Sequence, residues 1–284
     1  MLKDYEKIRI FDYKKDFTLE NIRKILKLFA NPEQSLKFIH IAGTKGKTST
    51  AFYIAALLEQ AGFGKIGLYT SPHLISPVER IKINGRSILE SDLNRIFQKV
   101  EDLSNEKNIP LTYFEAMTAS AFIYFKENSC DYVVLETGLG GRLDATNAVL
   151  PLVSIITTLG KDHTAILGNN LFKIAREKLG ILKPKVPYLL GRQNLFLYLF
   201  CRWVGFLKKA IFISSSHFRI SMKDHCYLIK RKKHEIIFHG PLYGTENLAL
   251  AYSCALHLKA VLPRRLEFYH QVPGRFEVYP NGKG

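Results

Sequence analysis

Residues 39–51 read "IHIAGTKGKTSTA", an apolar run that turns through two glycines into a lysine and three hydroxyl side chains. A strand, a glycine-bearing corner and a helix whose first N–H groups face that corner make up the local plan of a phosphate cradle. The usual cradle pattern has a glycine five positions before the Gly-Lys pair. Counted back from Gly46, that place is held here by Ile41. The regular pattern therefore fails while its chemistry is present. Gly43 and Gly46 let the backbone approach an anion, and Lys47 can reach terminal phosphates.

Outward from this loop, residues 37–168 repeat one rhythm: a short apolar or β-branched run, a polar or glycine-rich corner, then an amphipathic stretch. "KFIHIAG", "KIGLYTS", "DYVVLETG" and "PLVSIITTLG" read as strands, and "TSTAFYIAALLEQAG", "FEAMTASAFIYFKEN" and "NNLFKIAREKLGIL" as helices. Strands and helices alternating at these lengths predict an α/β fold, a parallel sheet with crossover helices. After Pro187 the runs "LKKAIFISS", "FRISM", "CYLIK" and "HEIIFHG" read as strands with little helix between them. They predict a small antiparallel extension before a last helix, "TENLALAYSCALHLKAVL".

The 284 residues, 47% hydrophobic and 23% charged, suit a folded soluble protein. The first residues mix charge with apolar side chains and do not read as a signal peptide. The greasiest stretch, "LFLYLFCRWVGFLKKAIFI", is broken by Arg202, Lys208 and Lys209 and is too interrupted to span a bilayer. A cytoplasmic protein with no membrane partner is the expectation. Cys130, Cys201, Cys226 and Cys254 are far apart in sequence and suggest buried thiols rather than a zinc or redox pair. The formal net charge of +16 is spread along the chain. Its densest run, "IKRKKHE", reads as a solvated hairpin, so no nucleic-acid partner is expected.

In an open parallel sheet, ligands bind beyond the carboxyl ends of the strands. The first strand delivers Gly43, Thr44, Gly46, Lys47, Thr48 and Ser49; the second Thr70 and Ser71; the third Glu136 and "TGLGGRLDATN"; the fourth Asp162 and His163. Each also has a plainer reading: a tight turn for the glycines, a cap for Ser71, a solvated strand end for Glu136, a surface histidine for His163. An acid at the end of an apolar strand beside a Gly-Lys-Thr loop is the arrangement that holds magnesium on a nucleotide. Spacing alone thus makes Glu136 the first-choice metal ligand.

The ordered series "HIAGTKGKTST", "YTSPHLISPVERIKINGRSI", "LTYFEAMTASAFIYF", "DYVVLETGLGGRLDATN", "TTLGKDHTAILGNNLFKIAREKLGILK", "HGPLYGTENLALA" and "VPGRFEVY" resembles the folylpolyglutamate/dihydrofolate synthase branch of the Mur ligases. The resemblance implies the P-loop-type ATP-binding domain of those enzymes over residues 1–284, with a short N-terminal segment. It also implies an ATP- and magnesium-dependent addition of L-glutamate to dihydropteroate or a folate through an acyl phosphate.

Carried over by position, Gly43, Thr44 and Gly46 to Ser49 would hold the ATP phosphates, and Asn247 and Arg275 would contact the nucleotide. Ser71, Glu136 and His163 would hold magnesium. Lys178 matches a lysine that is carbamylated in the family, so Lys47, Lys178 and His163 are the expected catalytic residues. Thr112, Tyr113, Phe114 and Glu115, with Leu143, Asp144 and Ala145, match segments that touch the pterin. Without the resemblance Lys178 reads as a helix lysine, Asn247 as a helix-face polar residue, Arg275 as a loop charge, Asp144 as a turn acid and Phe114 as a core aromatic.

Two departures fall in the loop: Lys45 stands where the family usually has asparagine, and Thr48 where the folate branch usually has glycine. The family's second, carboxy-terminal domain, opening with Asp-Gly-Ala-His-Asn, is not found before Gly284. The expectation is a chain that holds the phosphate and metal machinery, with a separately encoded C-terminal domain as a partner. The alternative is a nucleotide- or folate-binding remnant without turnover.

Overall fold

The structure, a computed structural model, describes residues 18–161, 170–214, 218–223, 226–231, 234–269 and 272–273. Asp162, His163 and Arg275, and the "YPNGKG" end, lie outside the described residues.

The main sheet has eight strands. They are β1 (Lys37–Ala42), β2 (Ile66–Tyr69), β3 (Ile81–Ile83), β4 (Arg86–Ser87), β5 (Tyr132–Glu136), β6 (Val153–Ile156), β7 (Pro187–Leu190) and β8 (Ile211–Ile213). Their order is β4-β3-β2-β5-β1-β6-β7-β8. All neighbours from β2 to β8 run parallel, and the β3–β4 hairpin is added antiparallel at one edge. Strands β1, β5 and β6 are apolar almost throughout because helices cover both faces, as parallel sheets require. The register sets where the strands finish: Ile41 lies opposite Glu136 and Ile155, and Tyr69 opposite Leu135, so four carboxyl ends stop at one level.

On one face lie α1 (Glu20–Leu28), α3 (Glu90–Glu106) and α4 (Tyr113–Glu127), joined to the sheet through Ile25, Phe97, Phe122 and Phe38. Further along the same face lie α5 (Leu171–Lys178) and α6 (Leu195–Leu207), packed on Ala42, Ile156, Tyr188 and Leu190, while the other face carries α2 (Lys47–Gln60) with α7 (Leu242–His257) beside it. A second sheet then covers α2 and α7. It is built from β9 (Arg219–Lys223), β10 (Cys226–Arg231), β11 (His234–His239) and β12 (Arg265–Tyr269) in the order β12-β11-β10-β9. Tyr53 of α2 meets Phe238 and Phe268 of this sheet edge-on, at 5.9 and 5.4 Å between ring centroids. That aromatic cluster seats the helix next to the glycine loop.

The α/β reading holds, with the antiparallel hairpin β10–β11 closing on the basic run as expected. The boundary after Pro187 does not. Strands β7 and β8 continue the parallel sheet, so the "LKKAIFISS" run supplies β8 there rather than a strand of the extension, and helix α6 lies between the two. Leu197, Cys201 and Val204 recur at helical spacing and are buried, and the Asn194 side chain caps the helix by accepting from Leu197 N–H at 2.9 Å. The added sheet is also not wholly antiparallel, since β12 pairs β11 in parallel after α7. Cys130, Cys201 and Cys254 are buried free thiols and Cys226 is half-buried, as the spacing suggested.

Candidate functional site

The corner after β1 is folded back onto the start of the segment after β6. Thr44 and Lys45 both donate backbone N–H to Thr158 O, at 2.9 and 3.1 Å, and the Thr44 hydroxyl lies 3.1 Å from both Gly160 O and Gly160 N. Gly43 packs so closely on Thr157 that a Cβ there would collide with its side chain. Gly46 is the N-cap of α2 in a left-handed conformation, φ 82°. It has no side chain to cap the helix, so the first-turn N–H groups open into the cleft. That cleft, about 630 Å³, is lined by residues 44–49, Thr158, Tyr243, Glu246 and Asn247. The sequence-predicted loop residues and Asn247 are thus brought together. Thr158, Tyr243 and Glu246 were missed, although the "TT" at the end of β6 is a strand-end signal of the same kind as Ser71.

Glu136, at the end of β5, is 1% exposed. One carboxylate oxygen accepts from the Thr48 hydroxyl at 2.9 Å and the other from Ser71 N–H at 3.3 Å. A single buried carboxylate therefore ties the first turn of α2 to the end of β2. Among the described residues there is no cluster of three or more His, Cys, Asp or Glu side chains that could hold a metal. Magnesium on a nucleotide does not require one: it takes one or two carboxylates and fills its other positions with phosphate oxygens, hydroxyls and water. Glu136, Thr48 and Ser71 fit that donor set.

Lys178 ends α5 and is 2% exposed, and its amine donates to Gly43 O at 2.8 Å. The resemblance pointed to this lysine, and the structure places it under the glycine loop. Its helix end is fixed to the turn after β5: Arg142 N–H donates to Glu177 O at 2.8 Å, and the Arg142 and Glu177 side chains pair at 3.0 Å. In that turn Asp144 is buried and accepts from Leu139 N–H at 2.8 Å, from Thr146 N–H at 3.0 Å and from the Thr146 hydroxyl. Burial pushes its carboxyl up from the ordinary value despite those donors. The plainer reading of Asp144 as a turn acid accounts for what it does here. His40, a residue the sequence reading passed over, lies beneath it with Nε2 2.9 Å from the Thr146 hydroxyl.

Thr112 and Glu115 form a reciprocal cap on α4. Glu115 N–H donates to the Thr112 hydroxyl at 3.1 Å and Thr112 N–H to the Glu115 carboxylate at 2.8 Å. Phe114 packs into the core beside Tyr69, and Tyr113 beside Phe97. Leu143 is half-buried and Ala145 buried. These residues border the turn after β5, and their local bonds are structural.

Residues 41–189, just over half of the chain, match the Mur ligase middle domain. The chain belongs to the Mur ligase family. It is 42% identical over 174 residues to a dihydrofolate synthase/folylpolyglutamate synthase of Bacillus subtilis, covering 60% of this chain and 40% of that protein. Among solved structures it is similar to the folylpolyglutamate synthase of Thermotoga maritima (31% identity, TM-score 0.79, 92% of this chain and 64% of that one). It is also similar to that of Mycobacterium tuberculosis complexed with ADP and AMPPCP (30% identity, TM-score 0.75, 87% and 61%). The chain spans about 40% of the Bacillus relative and under two thirds of these two solved chains. The matched range begins at Ile41 and includes the loop, in which Gly43 and Gly46 are three apart.

Proposed function

We propose that this chain carries the ATP- and magnesium-binding part of a Mur-type ligase that joins L-glutamate to dihydropteroate or a folate. The observation that carries the reading is Glu136, held between the Thr48 hydroxyl and Ser71 N–H at the rim of a loop whose helix start is open. The names of the relatives, folylpolyglutamate and dihydrofolate synthases, supply the acceptor class.

In this reading the loop N–H groups and Lys47 grip the β- and γ-phosphates of ATP. Asn247, packed against Gly46, and Arg275 orient the nucleotide, and Glu136, Ser71, Thr48 and His163 hold the metal. Bound there, magnesium would neutralise phosphate charge as the γ-phosphoryl moves. An acceptor carboxylate oxygen attacks the γ-phosphorus and ADP leaves. The glutamate amine then attacks the acyl carbon, phosphate leaves and the amine gives up a proton. The segments 112–115 and 143–145 hold the pterin near the turn after β5. In this reading Lys178, buried against Gly43 O, takes up carbon dioxide: the ammonium gives up one proton, the free amine attacks the carbon, and a second proton leaves the nitrogen, so the group changes from cation to carbamate anion at the loop.

The test is phosphate release from ATP with magnesium, L-glutamate and either dihydropteroate or a reduced folate, for the chain alone and with a relative's second domain added in trans. Release that needs both glutamate and acceptor, and is lost in Glu136→Gln, supports the proposal. Saturable ATP binding with no release under any condition makes the chain a nucleotide-binding module instead.

A further inference from the structure

Helix α6 has an outward face of a kind surface helices rarely carry. Leu195, Phe196, Leu199, Trp203, Phe206 and Leu207 are each between 55% and 78% exposed. At 3.6 residues per turn they fall within an arc of about 120° with no charged residue inside it. The buried side of the helix, Leu197, Cys201 and Val204, is opposite. Large side chains each cover about 150–250 Å², so this face leaves on the order of 600 Å² of apolar surface bare, the upper end for a monomer.

The rim is basic. Arg202 borders one side of the arc, its guanidinium 3.7 Å from the Phe212 ring centroid. On the other side Phe172 of α5 packs edge-on against Phe200 at 5.0 Å, which brings up the exposed Lys173 and Arg176 of α5. From Leu171 to Ser214 there are nine lysines and arginines and one acid, Glu177, which is paired with Arg142; of the nine, Lys178 is buried beneath the glycine loop and Arg192 is paired with Glu246, while Lys173, Arg176, Arg202 and Lys209 are exposed. Burial, with the neighbouring Arg142 and Arg176, holds the Lys208 amine below the usual lysine range.

Three occupants could cover such a face, and the chemistry separates them. A second copy would set this basic rim against itself. A specific protein partner would be read by about one hydrogen bond per 100–200 Å², and the arc offers only the Trp203 indole N–H. A surface that is apolar below and anionic at its boundary asks for no such register.

We propose that α6 lies in the plane of an anionic lipid surface, with Phe196, Trp203 and Phe206 at the headgroup level and Arg202, Lys173, Arg176 and Lys209 against the charged headgroups. The charges that disqualify the stretch as a membrane span suit an in-plane helix. This revises the expectation that no membrane is involved, and it stands independently of the ligase reading.

Trp203 is the single tryptophan of the chain, so its emission reports on the face directly. The experiment is co-sedimentation and tryptophan emission of the full chain with vesicles of phosphatidylcholine and phosphatidylglycerol, compared with phosphatidylcholine alone. Expected are binding with a blue shift, weakened about tenfold or more without the anionic lipid or at high salt. The double variant Phe196→Ser/Phe206→Ser is expected to weaken binding about a hundredfold. Both sites are exposed, and an unchanged thermal melt is the control for folding. Three results overturn the proposal: no binding; binding that the double variant leaves intact; or an emission already blue-shifted without lipid in a particle of twice the chain mass.

Discussion

Replacing Gly46 by alanine adds a methyl group where the phosphate loop is tightest. The residue sits at φ 82°, where an L side chain costs about 1–2 kcal/mol. The new Cβ also runs into the Asn247 carboxamide. To clear it Asn247 must swing away and give up its 3.1 Å bond to Tyr243 O, a further loss of about 1 kcal/mol. The two together come to about 2–3 kcal/mol, or a melting temperature lower by about 3–5 °C in a chain of this size. Gly62, at the other end of α2, is the internal control: it has φ 73° and nothing within 4 Å of an added Cβ. Gly62→Ala should therefore show the backbone cost alone. Thermal melts and ATP titrations of both variants, and of Gly46→Ala/Asn247→Ala, separate the parts. The double variant should be no less stable than Gly46→Ala, because the bond to Tyr243 O is already lost there, and should not regain nucleotide affinity. Equal destabilisation at Gly46 and Gly62 with ATP binding unaffected would refute the account of the loop.

Thr48→Val removes the hydroxyl that donates to Glu136, a hydrogen bond to a charged group worth about 1.5–3 kcal/mol. Binding of ATP with magnesium should fall at least about tenfold and binding without it much less; an equal loss would place Thr48 outside the metal site. Thr112→Ala should cost about 1 kcal/mol by uncapping α4. Unchanged stability with weaker folate binding would instead make Thr112 a substrate contact. Burial pushes the His40 imidazole down from 6.5 to about 3. Between those values the unfolded chain binds a proton that the folded chain refuses, so stability present above pH 6.5 is lost as the pH falls, by up to about 1.4 kcal/mol per unit. Urea melts at pH 7, 6 and 5 should show a shallower loss in His40→Gln, and parallel slopes would contradict the assignment.

The strand, glycine corner and open helix start were legible because their requirements are local in sequence. Glu136 was legible for a related reason: an acid closing an apolar strand is costly unless something binds it. Lys178 was not, since nothing local separates a buried amine from a solvated one on an amphipathic helix, and only the resemblance singled it out. His40 sits in an apolar strand and gains its meaning from Thr146, 106 residues away. Helix α6 was passed over because its outward face is as apolar as its inward one, which blurs the helical period that would have marked it. The parallel addition of β12 depends on a crossover through α7 that no short window contains.

The central claim is that the Glu136 carboxylate joins the glycine loop to a metal-assisted nucleotide site. Calorimetric titration with ATP, with and without magnesium, of the wild-type chain and Glu136→Gln tests it most directly. The account predicts one saturable site strengthened by magnesium in the wild type, and a site that keeps weak ATP binding but loses the magnesium enhancement in Glu136→Gln. An enhancement of the same size in both proteins would contradict it.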